Sequence, residues 1–432
     1  MNFLYTQKIK MTKKIVLSFT LLLSGFLGFS QENTSSPYSY YGIGDVRFRG
    51  AIDSRSMGGL NLTGDSISLN LQNPASYSRL ELMNFSVGGT STFNNLKNAN
   101  TSEKAQRTSI DYLAVGIPMG KFGASFGLIP YSAVGYKINT ISTSNNIERN
   151  NQYTGDGNIN RFFIGAGYAI NKNLSLGINV EYNFGEVNNT IREIITDLDN
   201  GNNLQLGTRE INTSRANGLT LNLGMFYERQ ITEKLNFYSS INYIPQTKLN
   251  VSNSRNIGLF TFTPSGDEFI TQSQDIAIPD SEIIIPSRLS ISNGIGQKYK
   301  WMIGAEVSFA NTEAKNNFFS ENLNATYKNS QRYIVGGYYI PKYDSFNSYF
   351  SRVVYRAGFR YDTNGLVINN QTIKDYGMNF GLGLPLGVSK IDIGFEFGKQ
   401  GTTSNGLIEE NYFNLSIGLS LSDKWFRKSL ID

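Results

Sequence analysis

From residue 84 onward the chain is dominated by period-two alternation of apolar and polar positions. Ile391, Ile393, Phe395 and Phe397 interleave with Asp392, Gly394, Glu396 and Gly398, and Phe413, Leu415, Ile417, Leu419 and Leu421 with Asn414, Ser416, Gly418, Ser420 and Ser422. Leu174, Leu176, Ile178, Val180 and Tyr182 repeat the pattern against Ser175, Gly177, Asn179 and Glu181. Successive side chains of a strand point to opposite faces, so each segment predicts a strand with one apolar and one polar face. About fourteen such segments are legible, near residues 84–94, 108–118, 121–139, 158–170, 173–186, 212–228, 234–248, 284–296, 299–311, 330–341, 349–362, 372–385, 388–399 and 410–422. Most reach about ten residues, longer than the soluble mode of about 5–6 and matched to tilted bilayer-spanning strands of about 9–11.

Alternation alone does not separate a soluble sandwich from a membrane barrel; the connections do. Even-to-odd joins are tight, as at Pro118 to Lys121, Ile170 to Asn173, Arg229 to Lys234, Gly296 to Tyr299, Pro341 to Tyr349 and Pro385 to Val388. Odd-to-even joins, such as 140–157, 187–211, 249–283 and 312–329, read as long loops rich in Asn, Ser and Thr. Short turns at one end and long loops at the other are the pattern of outer-membrane barrels, with the short turns periplasmic. The expected fold is all-β: a transmembrane antiparallel β-barrel of about 14 strands. A secreted all-β domain is the alternative, but a sandwich has no reason to sort loop length by parity.

Residues 1–30 read as a signal peptide. Lys13 and Lys14 form a basic start, Ile15 to Phe29 an apolar run, and Gly28-Phe29-Ser30 a small-residue approach to cleavage before Gln31. Met11 serves equally well as a start. The run is shorter than the roughly 20 residues of a spanning helix, which argues against a retained anchor. Residues 31–82 lack clear alternation and carry the Gly42 to Gly50 stretch, Ser56-Met57-Gly58-Gly59, and Leu60, Leu62, Ile67, Leu69 and Leu71 between polar residues. They are expected to fold into the lumen as a hatch. The barrel then occupies 83–423, and 424–432 form a basic periplasmic tail.

Composition narrows the chemistry. Among 432 residues there is no Cys and no His, which removes disulfides, thiolate or imidazole metal sites and every mechanism with an imidazole base. Only 17% of residues are charged, while 25 Tyr and 28 Phe bring aromatics to 13%, as a half-buried sheet requires. The net charge of +5 is concentrated in Lys8, Lys10, Lys13 and Lys14; without residues 1–30, 35 basic residues face 34 acids, so no nucleic-acid partner is expected. No cofactor is expected and no paired-carboxylate or Ser/Lys constellation stands out, so an enzyme is not expected. Tyr333, Tyr338 and Tyr339, then Tyr355, Phe359 and Tyr361, with Trp301 and Trp425, suit interfacial girdles facing outer-membrane lipid, although strand propensity alone also favours Tyr and Phe.

The Asn73-Pro74-Ala75 tripeptide before a run of about fourteen strands resembles the FadL-type long-chain fatty acid transporters, whose N-terminal hatch carries such a motif. The Ile285-Pro286-Ser287-Arg288 strand start followed by Trp301 extends the likeness over most of the mature chain. The ending from Gly406-Leu407-Ile408-Glu409-Glu410 to Asp423-Lys424-Trp425-Phe426 looks like the FadL-like outer-membrane subfamily that includes the type IX secretion shuttle barrel. The basic tail departs from barrels that end on an aromatic. The resemblance implies a Gram-negative outer-membrane protein for passive uptake of hydrophobic or amphipathic small molecules, gated by the hatch. The alternative it implies is a non-transporting barrel that serves as partner or docking component of the type IX secretion machinery.

Three sets of site residues follow. Asn73, Pro74 and Ala75 are the hatch motif. Pro130, followed by Tyr131, falls within the third segment, where a proline removes a ladder donor; FadL-type barrels open their wall at the third strand, so the pair marks a candidate lateral portal. The bland reading is a bulge that re-aims the strand. Arg352, Arg356 and Arg360 fall on the polar face of the eleventh segment, facing either a ligand carboxylate or acids such as Glu181, Glu306, Asp392 and Glu396. Elsewhere the inward face is Gly, Ser and Asn, less apolar than a fatty-acid conduit suggests.

Overall fold

The computed structural model describes residues 34–62, 68–199, 202–203, 206–263, 265, 267–315 and 324–423; the expected signal peptide, the tail, Ile67 and Trp425 lie outside them. Alternating side chains and continuous ladders produce one closed antiparallel barrel of fourteen wall strands. In chain order these are β1 (Met83–Lys97), β2 (Ser102–Met119), β3 (Phe122–Ser144), β4 (Ile147–Ala169), β5 (Leu174–Asp197) and β6 (Gly207–Gln230). Next come β7 (Asn236–Ile244, resuming as Thr247–Phe262) and β8 (Ser281–Ile285, resuming as Arg288–Gln297). The circuit ends with β9 (Trp301–Ala310), β10 (Ser330–Tyr339), β11 (Val354–Ile368), β12 (Gln371–Leu386), β13 (Ser389–Gly401) and β14 (Glu409–Asp423). β1 closes on β14, from Met83 opposite Asp423 to Lys97 opposite Glu409. Pro245 and Pro286 sit in the two breaks, where a ladder donor is missing.

The outward face carries the apolar band. On β5, Leu176, Ile178, Val180, Tyr182 and Phe184 are exposed while Ser175, Asn179, Glu181 and Asn183 are buried inside, the inverse of a soluble core. Tyr333, Tyr339, Tyr355 and Phe359 also face outward, and the rings of Tyr333 and Tyr361 lie 6.5 Å apart on neighbouring strands. Tyr338 differs from the girdle expectation: it points inward and packs on Met57, Leu60 and Leu62.

The long-loop end corrects the sequence reading. Residues 140–157 and most of 187–211 and 249–283 are strand, because β3 to β8 continue past the apolar band as a tall wall. β3 and β4 stay paired from Phe122 and Tyr168 up to Ser144 and Ile147, and Glu268–Ile276 returns along the far end of β7. Hydrophobic alternation stops where the bilayer would stop, but backbone hydrogen bonding does not depend on it. The wall's polar upper part therefore gives no period-two signal. A second difference concerns the eleventh segment. It starts at Val354, and Arg352 lies before it in the short 3-10 turn Phe350–Arg352, its guanidinium 5.4 Å from the Tyr349 ring.

Candidate functional site

Inside the barrel, residues 34–62 and 68–82 pack against the wall with little regular structure: 3-10 turns Pro37–Tyr40 and Pro74–Arg79, a two-residue strand Asp45–Val46 and one helical turn Ile52–Arg55. Their seat is made of glycine. Gly123, Gly167, Gly177 and Gly224 stand opposite one another across β3, β4, β5 and β6. A Cβ at Gly123 would lie 1.8 Å from the Tyr77 carbonyl oxygen, one at Gly177 2.3 Å from the Ala75 nitrogen, and one at Gly224 1.9 Å from Asn73 Oδ1. A second row, Gly294, Gly304, Gly336 and Gly358, crosses β8 to β11. There a Cβ at Gly336 would come within 2.2 Å of the Met57 oxygen. Only a residue without Cβ lets one backbone lie directly on another. The small inward residues are thus a bed for the interior segment and not the lining of an open pore.

Asn73 caps the Pro74–Arg79 turn, accepting from the Ala75 N–H at 3.0 Å, with Pro74 at the first helical position where its missing N–H costs nothing. Its amide also donates to the Met225 carbonyl at 2.9 Å and to Ser240 Oγ at 2.7 Å, so one side chain shapes the turn and ties it to β6 and β7. The motif is completely buried.

Ion pairs hold the rest. Arg49 and Arg161 share Glu181 at 2.5 and 3.0 Å, Arg55 meets Asp111 at 3.3 Å, and Arg79 pairs with Glu228. Asp53 accepts from Lys390 at 2.7 Å, and Lys390 and Arg356 both reach Asp392, at 3.1 and 2.7 Å. Burial pushes the Asp53 carboxyl up, but Lys390 and then Arg356 outweigh it and hold the group below its ordinary value. Of the three arginines read from the eleventh segment, Arg356 and Arg360 do face the lumen. Arg360 is saturated by Asp375 and Glu396, each at 2.9 Å, and Arg352 is not in the strand. Among the described residues no group of three or more His, Cys, Asp or Glu is placed to hold a metal ion.

The third strand leaves its neighbour. β2 and β3 pair from Met119 and Phe122 only to Leu113 and Leu128, after which β2 follows β1 and β3 follows β4. Pro130 stands two residues past that last pair, at a bulge that leaves Tyr131 without a register partner on β4. The edge of β3 exposed by this parting is taken by the interior segment: Asp45 and Val46 pair with Ala133 and Ser132, and the Arg47 N–H donates to the Tyr131 carbonyl at 2.9 Å. Sequence reasoning found Pro130 but had no signal for its partner, since two residues in a Gly-rich stretch carry no periodicity.

The space around the interior segment is divided. Toward the long-loop end lie cavities of about 150 Å³ beside Arg55 and Asp111, about 100 Å³ behind Pro130 and Tyr131, and about 120 Å³ beside Asp45. A cavity of about 420 Å³ lies at the tight-turn end, lined by Asp53, Arg79, Tyr238 and Tyr299. The three upper cavities fall short of the ~300–1,000 Å³ typical of ligand pockets.

Solved structures share this architecture. The CymD monoaromatic hydrocarbon channel aligns over 88% of this chain and 99% of its own with a TM-score of 0.54 at 14% identity. The toluene transporter TodX of Pseudomonas putida aligns over 89% and 100% with a TM-score of 0.54 at 16% identity. A FadL homologue of Pseudomonas aeruginosa aligns over 87% and 98% with a TM-score of 0.51 at 11% identity. At these identities the likeness is one of fold: a FadL-like outer-membrane barrel. No curated protein sequence matches the chain. The BamG family model matches residues 11–432, so this FadL-like barrel belongs to the BamG family.

Proposed function

We propose that the protein is a Gram-negative outer-membrane channel for passive uptake of hydrophobic or amphipathic small molecules, held shut by residues 34–82 and released sideways between β2 and β3. The observation that carries this reading is the wall gap above Leu113 and Leu128 with the interior strand Asp45–Val46 lying against its β3 edge. Two backbone pairs are a small barrier compared with the glycine seat, so this edge is where the plug parts from the wall. CymD and TodX are named for monoaromatic hydrocarbons and toluene, which makes labelled toluene a reasonable first probe.

Val46 and Ser132 are register partners, and opposite residues in an antiparallel pair stand at a Cα separation of about 4.5–5.5 Å, within reach of a disulfide. The chain contains no Cys, so Val46→Cys with Ser132→Cys creates a single lock. Toluene uptake by cells carrying the pair is expected to fall under oxidant and recover with reductant. Uptake indifferent to the lock would overturn the reading.

A second reading has its own support. β3 is 23 residues long, roughly 75 Å at about 3.4 Å per residue, more than twice what a bilayer crossing needs. A tall polar wall over a filled lumen suits a non-transporting barrel that docks secretion-system proteins such as the type IX machinery. On this reading, removing the wall above residues 138 and 153 should abolish binding of such a partner, and toluene uptake should be absent before and after the truncation.

A further inference from the structure

Among the charged groups inside the barrel, most cations are matched and a few are not. The cavity behind Pro130 and Tyr131 is lined by Arg47, Arg49, Arg161, Arg288, Lys315 and Arg332. Arg49 and Arg161 share Glu181, and Arg332 takes Asp362 at 2.5 Å. Among the described residues the side chains of Arg47, Arg288 and Lys315 form no ion pair and no hydrogen bond, and Arg47 Nη2 is buried without a partner; the Lys315 ammonium lies 5.8 Å from the Tyr327 ring, and Arg288 and Lys315 both feel Asp362, whose oxygens Arg332 holds. The acid among the lining residues, Glu306, is engaged by the Asn61 N–H at 3.0 Å and by the Ser292 and Ser308 hydroxyls at 2.8 and 3.0 Å. Asp45, on the neighbouring cavity, faces Arg47 and Arg360. Burial, and next the charge of Arg288, push the Lys315 ammonium down to about 8, so it still carries its proton at neutral pH.

We propose that Arg47, Arg288 and Lys315 form a binding site for a phosphoryl anion, free or carried as the head of a lipid whose tail points to the gap at Pro130. The three cations come from three places: the interior segment, the point where β8 resumes after its break and the connection after β9. Two guanidinium forks and an ammonium suit the several oxygens of a tetrahedral anion. Six cations line the cavity against Glu306, Glu181, Asp362 and Asp45, and the remaining excess of two positive charges is better balanced by a dianion than by a single carboxylate. The volume of about 100 Å³ holds such a head and no long chain, while Ile129, Tyr131, Ile244 and Ile285 give the cavity an apolar side. A bound anion would tie plug to wall through Arg47 and Arg288. The site rests on the uptake reading only for where a tail would leave.

The test uses detergent-purified full-length protein and dodecyl phosphate, read by calorimetry. Wild type should bind it, Arg47→Gln and Arg288→Gln should each bind about tenfold more weakly, and Arg352→Gln, at the tight-turn end, should match wild type. If an arginine variant fails to reach the folded, heat-modifiable form, Lys315→Gln in the connection replaces it with the same expected loss. Displacement by inorganic phosphate assigns the site to the head alone. Absence of displacement assigns it to a lipid phosphate. Dodecanol binding as tightly as dodecyl phosphate, or both arginine variants binding like wild type, would overturn the site. Charge-dependent binding together with uptake indifferent to the Val46–Ser132 lock would remove the uptake reading and keep the site.

Discussion

The interior segment meets the wall in two ways. Across β3 to β6 its residues 73–78 lie on four facing glycines, with backbone over Gly123, Gly167 and Gly177 and the Asn73 side chain over Gly224, at approaches that no other residue permits. At the parting of β2 and β3 the same segment touches the wall through Asp45, Val46 and Arg47, and small charged cavities surround it. Backbone seated on a row of glycines leaves no void, whereas a ladder of two residues rimmed by long arginines leaves small cavities beside it. The difference separates a broadly seated part of the segment from a narrowly held one.

Removing residues 40–76 erases both regions and has the largest expected effect: a closed barrel becomes one of large conductance in planar bilayers. Unchanged conductance would mean that the segment does not occlude the lumen. Gly177→Val attacks the anchored region alone, driving a branched side chain into the Ala75 nitrogen. Such overpacking should cost more than the usual ~1–3 kcal/mol, because backbone has to move, and should also raise conductance. A variant with wild-type conductance and thermal stability would show that the seat is dispensable.

Lys390→Met leaves Asp53 and Asp392 facing each other beside Arg356, and breaking a buried pair on one side costs about 3–5 kcal/mol, measurable as a lower temperature of heat-modifiable migration. The same latch sets an acid limit. Asp53 is held below its ordinary value of 3.8, so its contribution is complete above that pH and is lost as pH falls through the lower folded value. Wild-type plug stability should drop there more steeply than that of Asp53→Asn.

Asn73→Ala removes the cap and two ties while leaving the glycine bed, so a loss of about 1 kcal/mol with the lumen still closed is expected. Pro130→Val probes the narrowly held region at the smallest energetic scale. One restored donor changes stability by only about 0.5–1.5 kcal/mol, yet uptake should fall if β3 then pairs across the gap. Full uptake with repaired pairing would move the route to the barrel axis.

Much of this molecule was legible along the chain, and its misreadings share a cause. Strand number, their phase and the tight turns followed from alternation, because the bilayer imposes a greasy face on every crossing strand. The wall beyond the bilayer was read as loops, since pairing there leaves no hydrophobic trace. Asn73-Pro74-Ala75 was visible as a turn by its residue types, but its ties to Met225 and Ser240 were not. Inward Gly, Ser and Asn looked like a pale lining until the interior backbone was found lying on them.

The arginines show where sequence stops. Period two placed Arg356 and Arg360 in the lumen, and it placed Arg352 there as well, wrongly, because the connection before β11 is longer than its polarity suggests. Which cations are neutralised was not written locally: Glu181 lies 132 positions from Arg49, and Arg288 is left without an ion pair because Arg332 holds Asp362 while Asn61, Ser292 and Ser308 hold Glu306. By itself the sequence determined the barrel, since alternation is a property of neighbours along one strand. Only the tertiary structure decided how the lumen is filled, where the wall parts and which charges are left over, because those depend on strands brought together by closing the circle.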